Sequence, residues 1–570
     1  MLLKKKYWSV LEMSKKTLAV LTAGIIASQL VAGENLYPQE FKVFFSDRIT
    51  TENAASLRFE DKVLVLDENT QVAAQTVKID GNILDLRKLD PQKKYQCAAI
   101  SAVINSDKPA KLRMGMGADW WFDCYCNGKF VFGTTEAGNL FWPPSVKSFV
   151  FDLPLRAGRN ELTLFTRSGL GGWTVAIGEP PADAVMNMPR YQPIKPQIVY
   201  GPYLTNPGCD SITISYAVHG RQPLELEYRK KGNKIWKKLQ ILRGGQLLDE
   251  GPVMRFDLTG LAPATTYEYR VLKRVGRELR QAEPGEVRTF KTFSKKDSNY
   301  TFWIMADTQA ENYSKVKALK NLLKVRKDLA GADMFMHLGD ISSNQDDIEL
   351  ALFGSFFQFI PKHQPIVPLR GNHEFDGAQS GHYLKYLGSK DHKSYQAFKL
   401  GNVFFIVLDS GHHLPKDSTN SFQKYTGLNE LDTLLEEQTK WLEEVVKSKD
   451  FAEADYRLVF AHVSPHSQPD GFNHMLPRLQ KMTAKFFKGN PAKYPVDLWF
   501  AGHTHKYQAL PANKAWQFPL IILGGGAKSM VNGAAMLVKV KNKQIFIESI
   551  DSNGKTRDKF ELKNKSLIKK

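Results

Sequence analysis

The pattern of apolar and polar positions changes its rhythm along the chain. Residues 35–185 predict short strands separated by Gly, Pro and Asn, with little helical periodicity. From Tyr300 onward apolar strand candidates alternate with helical stretches, of which Leu428–Lys447 has the clearest helical spacing. The strand candidates are 301–306, 334–338, 365–369, 403–408, 457–461, 497–501 and 520–523. Alternating strands and helices predict a layered α/β domain that binds its ligand where strands end.

The N-terminus has a different pattern. Five lysines between residues 4 and 16 precede the apolar run Leu18–Ala32, which is followed by Gly33. A basic segment, a short apolar core and small residues predict a signal peptide over residues 1–33. The run is short and rich in small residues for a membrane-spanning helix, although an uncleaved anchor remains the alternative. We therefore expect an exported protein, periplasmic, cell-surface or secreted, without a transmembrane segment in its mature form.

Composition and charge refine this picture. The chain has 570 residues, too many for one core, with 42% hydrophobic and 24% charged residues, which predicts a soluble multidomain protein. The formal net charge is +19, and removal of residues 1–33 would leave +15. Residues 555–570 hold seven Lys and Arg against two acids and are predicted to be a solvated basic tail. The tail lacks interleaved aromatic residues, so we expect no specific nucleic-acid binding, whereas the charge surplus favours anionic substrates or envelope polymers.

The four cysteines do not indicate a catalytic or zinc site. Cys124 and Cys126 lie two apart in a strand-like run and face the same side, where small buried hydrophobic residues would serve equally well. A disulfide with Cys97 is the alternative in an exported protein. The states of these three and of Cys209 remain open.

Residues 35–185 resemble the galactose-binding-type β-sandwich of extracellular glycosidases. The similarity is carried by Ala118–Lys129, Gly138–Asn139, Leu153–Gly158 and Asn160–Phe165. The resemblance implies a sugar-binding platform formed by its tryptophans, although core packing is the commoner use of such residues. The candidates for either role are Trp120, Trp121, Trp142 and Trp173.

A linker over Pro189–Pro196 separates this region from a second one, residues 197–295. That region resembles the fibronectin-type-III domain which precedes the catalytic domain of purple acid phosphatases, on Tyr200–Leu204, Ser211–Tyr216 and Leu258–Val271. Tyr267 occupies the place of a corner tyrosine, whose hydroxyl bonds back to the backbone. No chemistry is assigned to this region.

Side chains that can bind a metal ion follow the predicted strands of the C-terminal half. The segments are Asp307-Thr308-Gln309, Gly339-Asp340, Gly371-Asn372-His373-Glu374, His462 and Gly502-His503-Thr504-His505. Two cations about 3.5–4 Å apart can clamp a phosphoryl group, and they need a carboxylate between them, for which Asp340 is suited. Carboxylate, amide oxygen and imidazole ligands suit Mn, Fe or Zn. We expect these residues to converge at one edge of a sheet.

These motifs resemble the calcineurin-like metallophosphoesterase superfamily, which includes the purple acid phosphatases, over a domain placed at residues 298–554. Gln438 and Trp441-Leu442 in the long helix match as well. The resemblance implies a four-layer α/β domain, a β-sandwich core flanked by helices, preceded by two N-terminal β-sandwiches. It also implies hydrolysis of phosphate esters by a hydroxide held between two metal ions.

The resemblance implies a role for each motif residue. Asp307, Asp340 and His505, with Gln309 as a fourth ligand, would bind the first metal ion. The second would be bound by Asp340, Asn372, His462 and His503. His373 would contact phosphate oxygens or protonate the leaving group, and Glu374 would orient it.

Two positions depart from the family pattern. Gln309 stands where the family has histidine, and a glutamine oxygen binds late transition metals more weakly than imidazole does. Ser343 stands where purple acid phosphatases have the tyrosine whose bond to iron gives their colour. The sequence therefore predicts a first site that is weaker or filled by a harder metal, and a colourless enzyme.

The remaining histidines are candidates of lower rank. His337 lies in an apolar strand and is predicted to be a core residue. His412 and His413 follow Asp409-Ser410-Gly411 at another strand end and could line the substrate site. His466 and His474 lie in the loop after His462 and could contact substrate.

The sequence favours a phosphomonoesterase of the acid-phosphatase type. A phosphodiesterase or nucleotidase is the alternative within the enzyme class. The alternative outside it is an envelope glycan-binding protein with a weakly active phosphoesterase domain.

Overall fold

The structure is a computed structural model that describes most of residues 36–570. The residues within that range that it does not describe are 51–52, 54–56, 61, 136–142, 169–171, 185–196, 221, 249–250, 276–278, 297, 310–312, 355–356, 413–425, 466–475, 490–491 and 525–533. The predicted signal peptide and linker, with Gly138–Asn139 and Trp142, therefore lie outside the described residues. The chain divides into two compact units, residues 1–194 and 195–570.

The N-terminal unit is built almost entirely of strands. They are β1 Glu40–Phe45, β2 Arg58–Glu60, β3 Val63–Asp67, β4 Thr70–Ala73, β5 Gln75–Lys78, β6 Ile83–Asp85, β7 Cys97–Ser106, β8 Ala110–Ala118, β9 Trp121–Cys126, β10 Lys129–Gly133, β11 Phe149–Leu155, β12 Gly158–Arg167 and β13 Thr174–Gly178, with the short helix α1 Leu86–Leu89. They form sheets of order β10-β9-β12-β7-β1-β5, β11-β8-β13-β6 and β2-β3-β4. Residues of the first two sheets, such as Ile100 and Met114, share one hydrophobic cluster.

Two expectations for this unit can be compared with the structure. Cys97, Cys124 and Cys126 are buried and Cys209 is half-buried, none of the four forms a disulfide, and burial raises the pKa of Cys124. Trp173 is 1% exposed and packs edge-on against Phe45, with ring centroids 5.5 Å apart. This tryptophan therefore belongs to the core, and a sugar platform could draw only on Trp120 and Trp121 among the described candidates.

The second unit begins with strands of residues 197–291. They are β14 Gln197–Thr205, β15 Ile212–His219, β16 Leu224–Lys230, β17 Lys237–Gln240, β18 Leu242–Arg243, β19 Gln246–Leu247, β20 Val253–Leu258, β21 Thr266–Val275, β22 Gln281–Pro284 and β23 Arg288–Lys291. The hydroxyl of Tyr267 accepts a hydrogen bond from the backbone N–H of Ala262 at 2.8 Å, which confirms the bond expected of a corner tyrosine.

The remaining strands and helices alternate along the chain. The strands are β24 Tyr300–Met305, β25 Met334–His337, β26 Pro365–Pro368, β27 Gln396–Leu400, β28 Val403–Leu408, β29 Tyr456–Ala461, β30 Leu498–Ala501, β31 Gln508–Leu510, β32 Leu520–Ile522, β33 Ala535–Lys541, β34 Gln544–Ile550, β35 Thr556–Lys563 and β36 Ser566–Lys569. The α-helices are α2 Tyr313–Val325, α3 Lys327–Ala330, α4 Tyr383–Leu387, α5 Leu431–Val445, α6 Lys449–Ala452 and α7 Leu476–Phe487. Short 3-10 or π turns cover Leu350–Gly354, Phe357–Phe359, His373–Phe375, Ser380–His382 and Thr426–Leu428. The seven predicted strands and the long helix are confirmed.

Two large sheets organise this unit. One has the order β20-β15-β14-β26-β25-β24-β33-β34-β35-β36 and the other β27-β28-β29-β30-β32-β31. Apolar residues of both, such as Phe302 and Phe405, form one cluster. Their other faces carry separate clusters with the helices, one including Leu322 of α2 and the other Leu442 of α5. Strands β24–β26 run parallel, as do β28, β29, β30 and β32.

The expectation of a solvated basic tail at residues 555–570 was wrong. Residues 556–569 form β35 and β36, which add to the large sheet in antiparallel pairing. The basic residues alternate with the buried side chains of Phe560 and Leu562, so one face of β35 contributes to the core while the other is charged. The ten-stranded sheet that contains β24–β26 therefore continues through β36.

None of the helices in the described part of the chain has the length and apolar content needed to cross a bilayer.

Candidate metal centre

Each predicted metal-binding motif follows a parallel strand. Asp307, Asp340 and Asn372 come after β24, β25 and β26 of the ten-stranded sheet. His462 and His503 come after β29 and β30 of the six-stranded sheet. The expectation of one sheet edge was therefore wrong, because the residues come from two sheets that share a core. Their order in the sequence did not reveal which sheet each strand joins.

Two groups of potential metal ligands share Asp340. Asp340, His462 and His503 form one group, and Asp307, Asp340 and His505 form the other, with the ligand atoms of each within 4.8 Å of one another. Asp340 Oδ2 lies 3.2 Å from His462 Nε2, and Asp307 Oδ1 lies 3.5 Å from His505 Nε2. Asp340 is the only carboxylate common to both groups, and it is the residue that the sequence predicts to lie between the two cations.

His462 and Asn372 present atoms that fit a cation. His462 Nδ1 donates to the carbonyl oxygen of Leu338 at 2.7 Å, which fixes the ring and turns Nε2 toward the carboxylates. The Oδ1 atom of Asn372 is buried and accepts no hydrogen bond from any described residue. A buried amide oxygen without a partner costs about 1–3 kcal/mol, and a bound cation would relieve this cost. The residues present therefore fit a metal centre.

The backbone at these motifs is unusual. Positive φ angles occur at five of the predicted ligands: Asp307 (52°), Gln309 (39°), Asp340 (56°), His503 (72°) and His505 (56°). A left-handed conformation costs a residue with a side chain roughly 1–2 kcal/mol. The concentration of this strain in one site indicates that the chain holds these side chains in fixed positions for function.

The glycines beside the ligands permit close backbone approach. A Cβ atom on Gly371 would lie 2.3 Å from Asp340 Oδ1, and one on Gly502 would lie 2.5 Å from Asp307 Oδ2. Either contact would displace a predicted ligand. The two positions therefore exclude any larger residue.

Glu374 does not have the role that the resemblance implies. Its Oε2 accepts hydrogen bonds from the backbone N–H groups of Asp340 and Gly371, at 2.8 and 2.7 Å, and its Oε1 accepts one from Ile341 at 2.8 Å. His373 Nδ1 instead donates to the carbonyl oxygen of Ser343 at 2.8 Å. Glu374 is buried beneath the motif loops, so its carboxylate can reach their amides and holds the Asp340 and Gly371 loops together.

His373 lies at the accessible side of the centre. Its side chain is 30% exposed, and its Nε2 lies 3.8 Å from Asp340 Oδ2. This position is compatible with contact to a substrate oxygen, and the catalytic role of His373 stays a prediction.

The buried charges of the centre shift one another's pKa. Burial alone would lower the pKa of His462, but the carboxylates of Asp340 and Asp307 outweigh it and raise this pKa to about 10. Burial would raise the pKa of Asp340, and the neighbouring imidazoles, His462 foremost, lower it instead. Burial, followed by the Asp340 charge, raises the pKa of Glu374 to about 7 against its backbone hydrogen bonds. A protonated His462 thus balances the carboxylates, and a metal ion would displace that proton.

Three further candidates are placed by the structure. The backbone N–H of Gln309 bonds to the carbonyl oxygen of Asp340 at 3.0 Å, which brings Gln309 to the centre, and its ligation stays a prediction. His337 is fully buried, contacts Thr308 Oγ1 at 3.1 Å and has its pKa lowered to about 3 by burial, which confirms it as a core residue. His412 is buried, with Nε2 3.5 Å from Asp376 Oδ1. His413, His466 and His474 lie outside the described residues.

The sequence interpretation named Gln438 but missed the contacts that join it to Asp409 and Arg370. Arg370, directly before Gly371-Asn372, donates through Nε to Asp409 Oδ2 at 2.8 Å. Gln438 of α5 bonds both the backbone N–H and the backbone carbonyl of Asp409 at 2.8 Å. The available signal was an arginine next to the Asn372 motif and an aspartate at the end of β28.

Comparisons with known proteins agree with this geometry. Residues 300–507 match the family described as Calcineurin-like phosphoesterase. A purple acid phosphatase of Glycine max is 24% identical over 269 residues, covering 44% of this chain and 50% of the relative. Purple acid phosphatase 5 of Arabidopsis thaliana is 25% identical over 217 residues, covering 37% of this chain and 45% of the relative. The chain thus spans about half the length of these relatives.

A solved purple acid phosphatase from yellow lupin (Lupinus luteus) is 14% identical, with a TM-score of 0.48, and the alignment covers 82% of this chain and 93% of the lupin chain. From the family match and the curated relatives, residues 300–507 are a calcineurin-like phosphoesterase domain that resembles the corresponding domain of purple acid phosphatases.

Proposed function

We propose that this protein is a metal-dependent phosphoesterase that uses two metal ions to hydrolyse phosphate esters. The observation that carries the proposal is the pair of ligand groups joined by Asp340, beside the unpartnered oxygen of Asn372. Mn, Fe and Zn are the ions that this donor set suits. Their identity is left to measurement.

The chain's own residues would divide the work. Bound metal ions would supply Lewis-acid stabilisation of a phosphoryl group and an activated water. Asp340 would belong to both ligand groups, and Asp307, Gln309 and His505 would complete one of them. Asn372, His462 and His503 would complete the other. His373, accessible and anchored on Ser343, would bind a phosphate oxygen or hold the proton that the leaving alcohol receives.

The test is hydrolysis of p-nitrophenyl phosphate by metal-loaded protein and by Asn372→Ala. Loss of the amide oxygen should reduce kcat by roughly 100-fold or more, because one ion loses a ligand. Asn402→Ala, which removes an amide bonded to Asp455 rather than to a motif residue, serves as the matched control. Unchanged turnover in Asn372→Ala would show that any activity comes from another site.

We propose phosphomonoesters as the preferred substrates. Support comes from the similarity to purple acid phosphatases and from the strands of residues 197–291, which precede the phosphoesterase domain. Turnover of p-nitrophenyl phosphate and of its bis-ester should be compared on the same metal-loaded sample. Substantially faster cleavage of the bis-ester would replace this choice with a phosphodiesterase.

We also propose export through the predicted signal peptide. N-terminal sequencing of the protein recovered from outside the cytoplasm should begin after Gly33. A mature protein that starts at Met1 would contradict cleavage.

A glycan-binding role is the second candidate, favoured by one observation. Trp120 and Trp121 are both partly exposed, with ring centroids 5.4 Å apart, at the start of β9. Partly exposed aromatic rings of this kind can stack on sugar rings. Retention on immobilised polysaccharide should fall in a Trp120→Ala, Trp121→Ala double variant, and equal retention would remove this candidate.

A further inference from the structure

The loop between β16 and β17 concentrates positive charge on one exposed hairpin, residues 230–238, here named the basic hairpin. It carries exposed lysines and no acidic residue: Lys230, Lys231, Lys234, Lys237 and Lys238. Lys238 pairs with Glu225 at 3.4 Å. The other lysines have no carboxylate within 4 Å among the described residues, so their charges are not compensated locally.

An apolar side chain lies among these lysines. Ile235 is 81% exposed, the highest value among the large hydrophobic residues that the structure describes. Single exposed apolar residues are common on soluble proteins and by themselves indicate nothing. Here the exposed isoleucine is flanked by Lys234 and by Trp236-Lys237, so apolar and cationic groups occupy the same surface.

Arginines of β16 and β21 hold the basic hairpin in place. The Trp236 ring packs against two guanidinium groups, with its centroid 4.1 Å from Arg229 Cζ and 4.6 Å from Arg270 Cζ. Arg229 is in turn paired with Glu268 at 2.8 Å, and Arg270 with Glu227 at 2.7 Å. The arginine charges are therefore balanced and their function is structural. A surface that is already ordered loses little entropy when it binds a partner.

The turn itself is closed by backbone contacts. Gly232 has φ of 90°, the backbone N–H of Asn233 donates to the carbonyl oxygen of Lys230 at 3.0 Å, and Lys231 N–H donates to Thr266 O at 3.0 Å. The lysines and Ile235 are thus presented on a short, fixed hairpin.

We propose that the basic hairpin docks this protein on an anionic phospholipid bilayer. The ammonium groups would bind lipid phosphates, and Ile235 would enter the boundary between headgroups and acyl chains. This interaction goes beyond the proposed phosphoesterase activity. A nucleic acid or another soluble polyanion fits less well, because it gains nothing from the exposed Ile235 and because Trp236 already packs against two guanidinium groups.

The test is co-sedimentation of the full chain with vesicles. Phosphatidylcholine vesicles are compared with vesicles that also contain about one third phosphatidylglycerol. We expect binding to the anionic vesicles alone, weakened as salt is raised. One variant changes four lysines of the basic hairpin to Gln: Lys230, Lys231, Lys234 and Lys237. It should lower the partition constant about 100-fold, since each lysine near a charged surface contributes to binding. Ile235→Ala should lower it roughly 10-fold by removing apolar area.

The matched control removes the same net charge elsewhere. The control variant changes four exposed lysines of β33 and β35 to Gln: Lys539, Lys541, Lys559 and Lys563. Its vesicle binding should stay within about twofold of wild type. Thermal melting and turnover should be unchanged in every variant. Equal losses in the two lysine variants would show that bulk charge binds the vesicles, and an unchanged Ile235→Ala would point to a polyanion. Either result, or no binding to anionic vesicles, overturns the proposal.

Discussion

The strand ends of the two units use left-handed backbone in different ways. In the N-terminal unit, the turn between β9 and β10 places Asn127 and Gly128 at φ of 51° and 76°, and Gly158 at 85° opens β12. These residue types adopt positive φ at little cost. In the phosphoesterase domain the same region of φ is occupied by aspartate, glutamine and histidine. These turns of the first unit use residues that tolerate left-handed backbone, whereas the motif loops of the second accept strain to position Asp307, Asp340 and the motif histidines.

The two regions also differ in what lies beneath the strand ends. Near the N-terminal turns, Asn127 and Asn160 bond to each other at 2.9 Å as neutral amides. At the metal centre the buried groups are Asp307, Asp340 and Glu374, all less than 2% exposed. Burying carboxylates is unfavourable unless opposite charge accompanies them. Strained backbone and buried charge together therefore mark the functional site.

The largest expected effect comes from the residue shared by both ligand groups. Asp340→Ala should reduce phosphate-ester turnover by roughly 1,000-fold or more, since both groups lose a ligand. It should also lower bound metal, measured on the same sample by elemental analysis. Asp123→Ala, a buried aspartate of the N-terminal unit, is the control and should keep metal and turnover. Equal metal content in Asp340→Ala and wild type would contradict the assignment.

A smaller loss is expected from Glu374→Ala. Three backbone N–H groups would lose their acceptor, so the loops that carry Asp340 and Gly371 would shift. We expect kcat to fall by about 10- to 100-fold and the free energy of unfolding by about 2–4 kcal/mol. Rescue by Glu374→Gln should be incomplete, because one oxygen is replaced by a donor. If Glu374→Ala changed only the pH profile set by His373, the orienting role implied by the resemblance would be restored.

Two glycine substitutions separate steric fit from backbone strain. Gly502→Ala places a methyl group 2.5 Å from Asp307 Oδ2, so activity should fall by about 10-fold or more. Gly158 has φ of 85° and open space where a Cβ would lie. Gly158→Ala should therefore lower the free energy of unfolding by about 1 kcal/mol and leave turnover unchanged. Denaturant unfolding and kinetics of both variants measure the difference. Similar kinetics in the two variants would show that a methyl group beside Asp307 disturbs the centre no more than one at an exposed turn.

The smallest effect is a gain at the first metal site. Gln309→His places an imidazole at the position where the family has histidine. It should lower the metal concentration needed for half-maximal activity by about 10-fold. Titration of metal into chelator-treated protein measures this change. No change would mean that residue 309 does not ligate a metal ion.

The strands and much of the candidate site could be predicted because local signals were strong. Runs such as 403–408 are continuously apolar, and β28 covers those same residues. Asp340 and His503 follow such runs directly, so their place at strand ends was predictable from the chain alone.

Other features depend on tertiary structure. Strand β35 carries Arg557, Asp558 and Lys559 beside Phe560, and its charge concealed a half-buried strand. The hydrogen bonds of Glu374 join backbone groups that meet only after folding. Which of two sheets a strand enters is likewise decided by long-range pairing rather than by local pattern.

Metal stoichiometry is the decisive measurement for the two-ion centre. Elemental analysis of protein loaded with Mn, Fe or Zn and then desalted should give close to two ions per wild-type chain. Asn372→Ala should give about one ion and Asp340→Ala fewer still. A wild-type protein that hydrolyses phosphate esters at full rate with no bound metal would contradict the account.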